Sequence, residues 1–189
     1  MLSALFVVSS MVAIYTGIAY TLYLDMIVPL FICLIFMRLD FKYTLLSSIT
    51  SLLIVTLAVG DVASAIWMSQ GIIMGLICGY FIRRKGTIFD DLFYSAILGT
   101  FVMVLIDIYF SKLTGYSFMK EFDSYTELFP LNGEYMEVAF NIFVATMPIG
   151  TILISYIGAL FIGKKLRILN ENCNEKYMII KNFKRYGSY

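Results

Sequence analysis

The chain has 189 residues, of which 60% are hydrophobic and only 14% charged, where a soluble domain is about a quarter charged. Its mean hydropathy is +0.86, and its net charge of +1 gives no reason to expect nucleic acid or an acidic polymer as partner. Histidine is absent, which excludes Ser–His and Cys–His nucleophile pairs and the H-E-x-x-H zinc site.

The composition predicts an all-α integral membrane protein. A spanning helix needs about 20 apolar residues, and uncharged stretches of that order run over 43–60, 62–82 and 138–163. Another, 92–111, is interrupted only by Asp107. The first run reads as a span and not as a cleaved signal, because no polar mature domain follows it. In the region 2–37, Asp25 leaves only a short uncharged stretch, Met26 to Met37, before Arg38. Two short spans are expected there, with one long span plus a re-entrant piece as the alternative. The resulting domain is 1–168 with six spans, about 3–19, 22–37, 43–60, 63–82, 91–111 and 136–163, followed by a basic tail at 169–189.

The charges between the spans change sign from gap to gap. Arg38–Lys42, Arg83-Arg84-Lys85 and Lys164-Lys165-Leu166-Arg167 are basic, whereas Asp61 and the stretch Glu121–Glu137 are acidic. Because cytoplasmic loops collect Lys and Arg, all three basic gaps are assigned to the cytoplasm, together with both termini. Of the 14 basic residues, only Lys112 and Lys120 then fall outside.

An ionisable or polar group at membrane depth is a functional candidate by default. Four fall towards the outer side. Asp61 lies in the turn before the fourth span, with Gln70 two turns on and Trp67 between them. Asp107 lies in the fifth span and Asn141 in the sixth. A pocket of Asp61, Trp67, Gln70, Asp107 and Asn141 would suit a small polar or heteroaromatic molecule, with carboxylates for a cation and the indole for stacking. The bland alternatives are a helix cap for Asp61 and interhelical hydrogen bonds for Gln70 and Asn141.

Small residues recur every four positions at Ser9, Ala13 and Gly17 in the first span, and at Gly71, Gly75 and Gly79 in the fourth. Such strips let helices approach closely, within the chain or, for the first span, against a partner subunit. Met147-Pro148 predicts a kink in the sixth span. Between spans five and six, Phe118, Phe122, Tyr125 and Phe129 share one face of a short amphipathic helix, read as an interfacial anchor or a lid. The tail interleaves Tyr177, Ile180 and Phe183 with basic residues and is expected to lie along the inner leaflet. Cys33, Cys78 and Cys173 form no metal-like pair, and no cofactor is implied. Gly158–Lys165 reads G-x-x-x-x-G-K-K, but it lacks the Ser/Thr of a P-loop and ends an apolar span, so any ATP hydrolysis is left to another chain.

Taken together, the small size, six spans, cytoplasmic ends and small-residue strip resemble the substrate-binding S component of an energy-coupling factor (ECF) vitamin transporter. Within that class, the patterns around Val28-Pro29, Arg38–Leu53, Gly71–Lys85 and Met147-Pro148 are similar to the YybS-like membrane proteins, which are usually longer. The resemblance implies a non-enzymatic, multi-pass protein of the bacterial plasma membrane that captures a vitamin-like molecule on the outer side. It implies docking through Ser9, Ala13 and Gly17 onto a transmembrane coupling protein that carries two ATPases. Where the family's strip is alanine-rich, this chain has Ser9 and Gly17, and no vitamin-specific motif is present. A non-transport scaffold subunit of a cell-envelope or cell-shape assembly is the alternative function.

Overall fold

The computed structural model describes residues 2–16, 26–60, 62–114 and 133–186. The described residues form seven helices: α1 (Leu2–Thr16), α2 (Val28–Arg38), α3 (Phe41–Val59), α4 (Val62–Arg83), α5 (Ile88–Thr114), α6 (Gly133–Lys165) and α7 (Glu171–Tyr186).

Local sequence sets the ends of these helices. Proline stands in the first turn of α2, where its missing N–H costs nothing. Gly60 closes α3 in the left-handed region at φ 73°, as a C-terminal glycine does. Thr87 precedes α5 and accepts the Asp90 amide at 3.2 Å, while its hydroxyl donates to the Asp90 carboxylate at 2.6 Å. This pairing holds the first turn. At the end of α6, Ile168 N–H donates to Gly163 O and Arg167 N–H to Lys164 O. Arg167 takes the left-handed conformation, φ 57°, that such a Schellman reversal requires.

The 11 residues of α2 extend about 16 Å, roughly half of a hydrocarbon core. All but three of them are buried, because α2 sits in the middle, enclosed by α1, α3, α4 and α6. α5 packs between α4 and α6 on the periphery. The close approach of α2 and α4 depends on glycine. A Cβ on Gly75 would lie 2.5 Å from Pro29 O, and one on Gly79 would lie 2.7 Å from Phe36 Cβ. That part of the Gly71–Gly75–Gly79 strip therefore serves packing within the chain.

On α3 the side-chain distribution is inverted relative to a helix of a water-soluble protein. On α3 the residues turned inward are Thr44, Ser48, Ser51 and Val55. Its outer face carries Leu46, Ile49, Leu53 and Leu57, the last 84% exposed. The inward hydroxyls are satisfied by the helix itself, as where Ser48 Oγ donates to Thr44 O at 2.8 Å. Two segments, Phe41–Val59 and Ile88–Ile106, have mean hydropathies of 1.6 and 1.7, yet only 22% of each is buried. Small polar residues inside and large apolar ones outside match a lipid solvent, in which the hydrophobic effect does not draw helices together.

Candidate functional site

One end of the bundle collects the C-termini of α2, α4 and α6, the N-termini of α3 and α5, and α7. The sequence brings the three basic gaps to this end, and side chains tie them together. Arg83 Nη1 donates to Phe36 O at 3.2 Å and to Leu39 O at 2.8 Å. Its other terminal nitrogen lies 3.6 Å from the Asp40 carboxylate. Lys164 Nζ donates to Asn174 Oδ1 at 2.7 Å and stands over the Tyr177 ring at 5.8 Å. Tyr177 in turn makes an edge contact with Phe161 at 5.3 Å.

Beneath these surface contacts lies a buried polar node. Lys176 of α7 forms a salt bridge with Asp91 in the first turn of α5, the two side chains being 5% and 2% exposed. The same ammonium donates to Phe81 O and Ile82 O, both at 3.1 Å, and to Arg84 O at 2.7 Å. These are carbonyls from the end of α4, where the helix runs out of amide donors and where its dipole favours a cation. Asp91 Oδ2 also accepts the Tyr156 hydroxyl of α6 at 2.8 Å. Asp91 lies at a helix N-terminus, where a carboxylate is favoured. Four helices, α4 to α7, and the α4–α5 turn thus meet at one ion pair.

Cysteine surrounds this node on its inner side. Cys33, Cys78 and Cys173 belong to one buried cluster with Tyr156, Ile82 and Leu160, and all three are free thiols. Cys173 Sγ donates to Ile82 O at 3.6 Å, and burial pushes its thiol above the usual range. Two hydroxyls one layer deeper, Ser95 and Ser155, are buried without a hydrogen-bond partner.

The tail therefore differs from expectation in one respect. It is not only a surface-lying basic segment: α7 is docked into the bundle by Cys173, Lys176, Tyr177 and Ile180, of which Cys173 and Lys176 are buried. Sequence reasoning counted Lys176 only among the basic residues of the cytoplasmic side and passed over Asp91 and Tyr156. The available signal was the spacing 173–176–177–180, a helical stripe with a lysine inside it.

Of the residues predicted for an outer pocket, Gln70 is half-buried on α4. It lies about 20 Å along that helix from Arg83, away from the basic end. Trp67, Asp107 and Asn141 fall on α4, α5 and α6, but their side chains, like Asp61 entirely, lie outside the described residues. Of the docking strip, Ser9 is half-buried and donates to Phe6 O at 3.0 Å. Ala13 is 8% exposed and packs in the chain's own core with Phe6, Ile32 and Val55, so its small size serves internal packing. Gly17 and the segment Phe118–Phe129 lie outside the described residues. The exposed large hydrophobic residues described on α1 are Leu5, Val8, Val12 and Tyr15.

Residues 4–128 match the family described as "Predicted membrane protein (DUF2232)". The chain belongs to this family of predicted membrane proteins. The matched region holds Asp91 and the end of α4, whereas Tyr156 and Lys176 lie beyond it. No curated protein and no solved structure matches the chain.

Proposed function

We propose that this protein is the substrate-capturing membrane subunit of an ATP-driven importer of the ECF type, taking up a vitamin-like small molecule across a bacterial plasma membrane. In this reading the chain is a YybS-like S component with six spans and both termini in the cytoplasm. The observation that carries the reading is the polarity of the bundle along its axis. The basic gaps and α7 share one end, tied by Arg83, Lys164 and Lys176. By contrast, Gln70 lies about 20 Å from Arg83 along α4, and Asn141 about 35 Å from Lys164 along α6. Asp107 falls in the same far half, about 24 Å along α5 from Asp91.

That separation suits capture on one side and energisation on the other. Asp61, Trp67, Gln70, Asp107 and Asn141 would line the outer site, since polar groups at membrane depth are the ones that select a complementary ligand. The basic end would face the cytoplasm, where a transmembrane coupling protein and its separate ATPases would work. With Ala13 packed internally, docking through α1 would fall to the exposed flank of Leu5, Val8, Val12 and Tyr15, with Ser9 at its edge.

The test is purification of the full chain from its native membrane in mild detergent, with mass spectrometry of both released small molecules and co-purifying proteins. A bound polar small molecule together with an ATP-binding protein is expected, and Asp107→Asn should weaken the affinity at least about tenfold, the loss of one charged hydrogen bond. Recovery of envelope-assembly proteins with no small molecule would overturn the proposal in favour of a scaffold.

A further inference from the structure

α1 and α3 run in the same direction from the basic end, joined far along their length where Tyr15 Oη donates to Ala58 O at 2.9 Å. Nearer the basic end they part, leaving an open groove of about 450 Å³. Ala4 and Val7 form one wall, and Leu46, Ser47, Ser51 and Ile54 the other, with Leu39 and Tyr43 at the mouth. From Tyr43 to Ile54 the groove runs about 16 Å along α3. That is the depth of one leaflet, half of a hydrocarbon core of about 30 Å. A spanning helix of a partner would need a groove of the full thickness.

The mouth has a charge to match. Arg38 and Lys42 are exposed and adjacent in sequence to the lining residues Leu39 and Tyr43, and Tyr43 is 60% exposed. Asp40, the acid of the same turn, is drawn to Arg83 at 3.6 Å, so it does not cancel these cations. Further down, the groove is lined by the small side chains Ser47, Thr50 and Ser51 beside Leu46, the last 63% exposed.

We propose that this groove is a binding site for an anionic phospholipid of the leaflet at the basic end. One acyl chain lies between α1 and α3, and the phosphate is held by Lys42 and Arg38 with a hydrogen bond from Tyr43. Basic residues at a membrane surface attract anionic headgroups, and the apolar slot beneath fixes where such a lipid sits. The assignment is independent of any transport role.

Native mass spectrometry of the purified full chain, titrated with phosphatidylglycerol or phosphatidylcholine of identical acyl chains, tests it. Phosphatidylglycerol should be retained at least several-fold more than phosphatidylcholine. Lys42→Gln should bring the two close to parity, and Ser47→Phe, which fills the groove, should remove retention of both. If Ser47→Phe does not fold, Thr50→Leu on the same wall gives the same reading. Leu57→Phe, on the outer face of α3 beyond the groove, should change nothing. Equal retention of the two lipids by the unaltered protein, or phosphatidylglycerol retention unaffected by Lys42→Gln or by filling the groove, would overturn the proposal.

Discussion

Lys176 is an instructive residue, because its chemistry is decided by burial and not by its place in a basic tail. Its ammonium meets one carboxylate and three peptide carbonyls, and the carboxylate is shared with Tyr156. Removing one partner of such a pair leaves an uncompensated charge, whereas removing both can be nearly neutral. Lys176→Met is therefore expected to destabilise the protein by about 3–5 kcal/mol. The double variant Lys176→Met with Asp91→Asn should recover most of that loss. Thermal unfolding in detergent of the two singles and the double measures the coupling; destabilisation of the double equal to the sum of the two singles would show that the pair contributes nothing of its own. The sequence contained both residues in plain view, but a lysine 85 positions from its aspartate is legible only once the helices are packed.

At the scale of elements, the small-residue strips divide by what they face. Gly75 and Gly79 bring α4 against α2 with no room for a methyl group, and the 11-residue α2 survives at membrane depth because it is enclosed. A short helix exposed to lipid would leave its end carbonyls without partners. Here Arg83 caps two of them at Phe36 and Leu39. Gly75→Ala is expected to cost about 1–3 kcal/mol through overpacking, since the group it meets first is a backbone carbonyl that cannot rotate away. A thermal midpoint in detergent equal to that of the parent would argue that α2 and α4 separate more easily than their packing implies. The spacing of these glycines was visible in the sequence, and so was their role in close approach. Which helix they approach was not, because a four-residue repeat marks a face without naming its neighbour.

For the whole molecule, the governing feature is the large apolar surface on the outside of the bundle together with the basic charge gathered at one end. Single cysteines introduced at Lys85 and at Lys165, both exposed, should react with a membrane-impermeant maleimide only in inside-out vesicles. A cysteine at Lys120 should react only in right-side-out ones. The native cysteines are buried and give little background. Labelling of all three positions from one side would reverse or break the proposed topology.

By itself, the sequence determined that the chain is helical and belongs in a membrane, and which gaps carry the positive charge. These are properties of local composition and periodicity, which lipid and water read one segment at a time. Only the tertiary structure decided that α2 is a short central helix, that Ala13 and Gly75 face the chain's own core, and that α7 is held by a buried Asp91–Lys176–Tyr156 node. Those depend on which faces meet across distant parts of the chain. An ion pair or a close helix crossing is a relation between two segments, and neither segment alone carries the information.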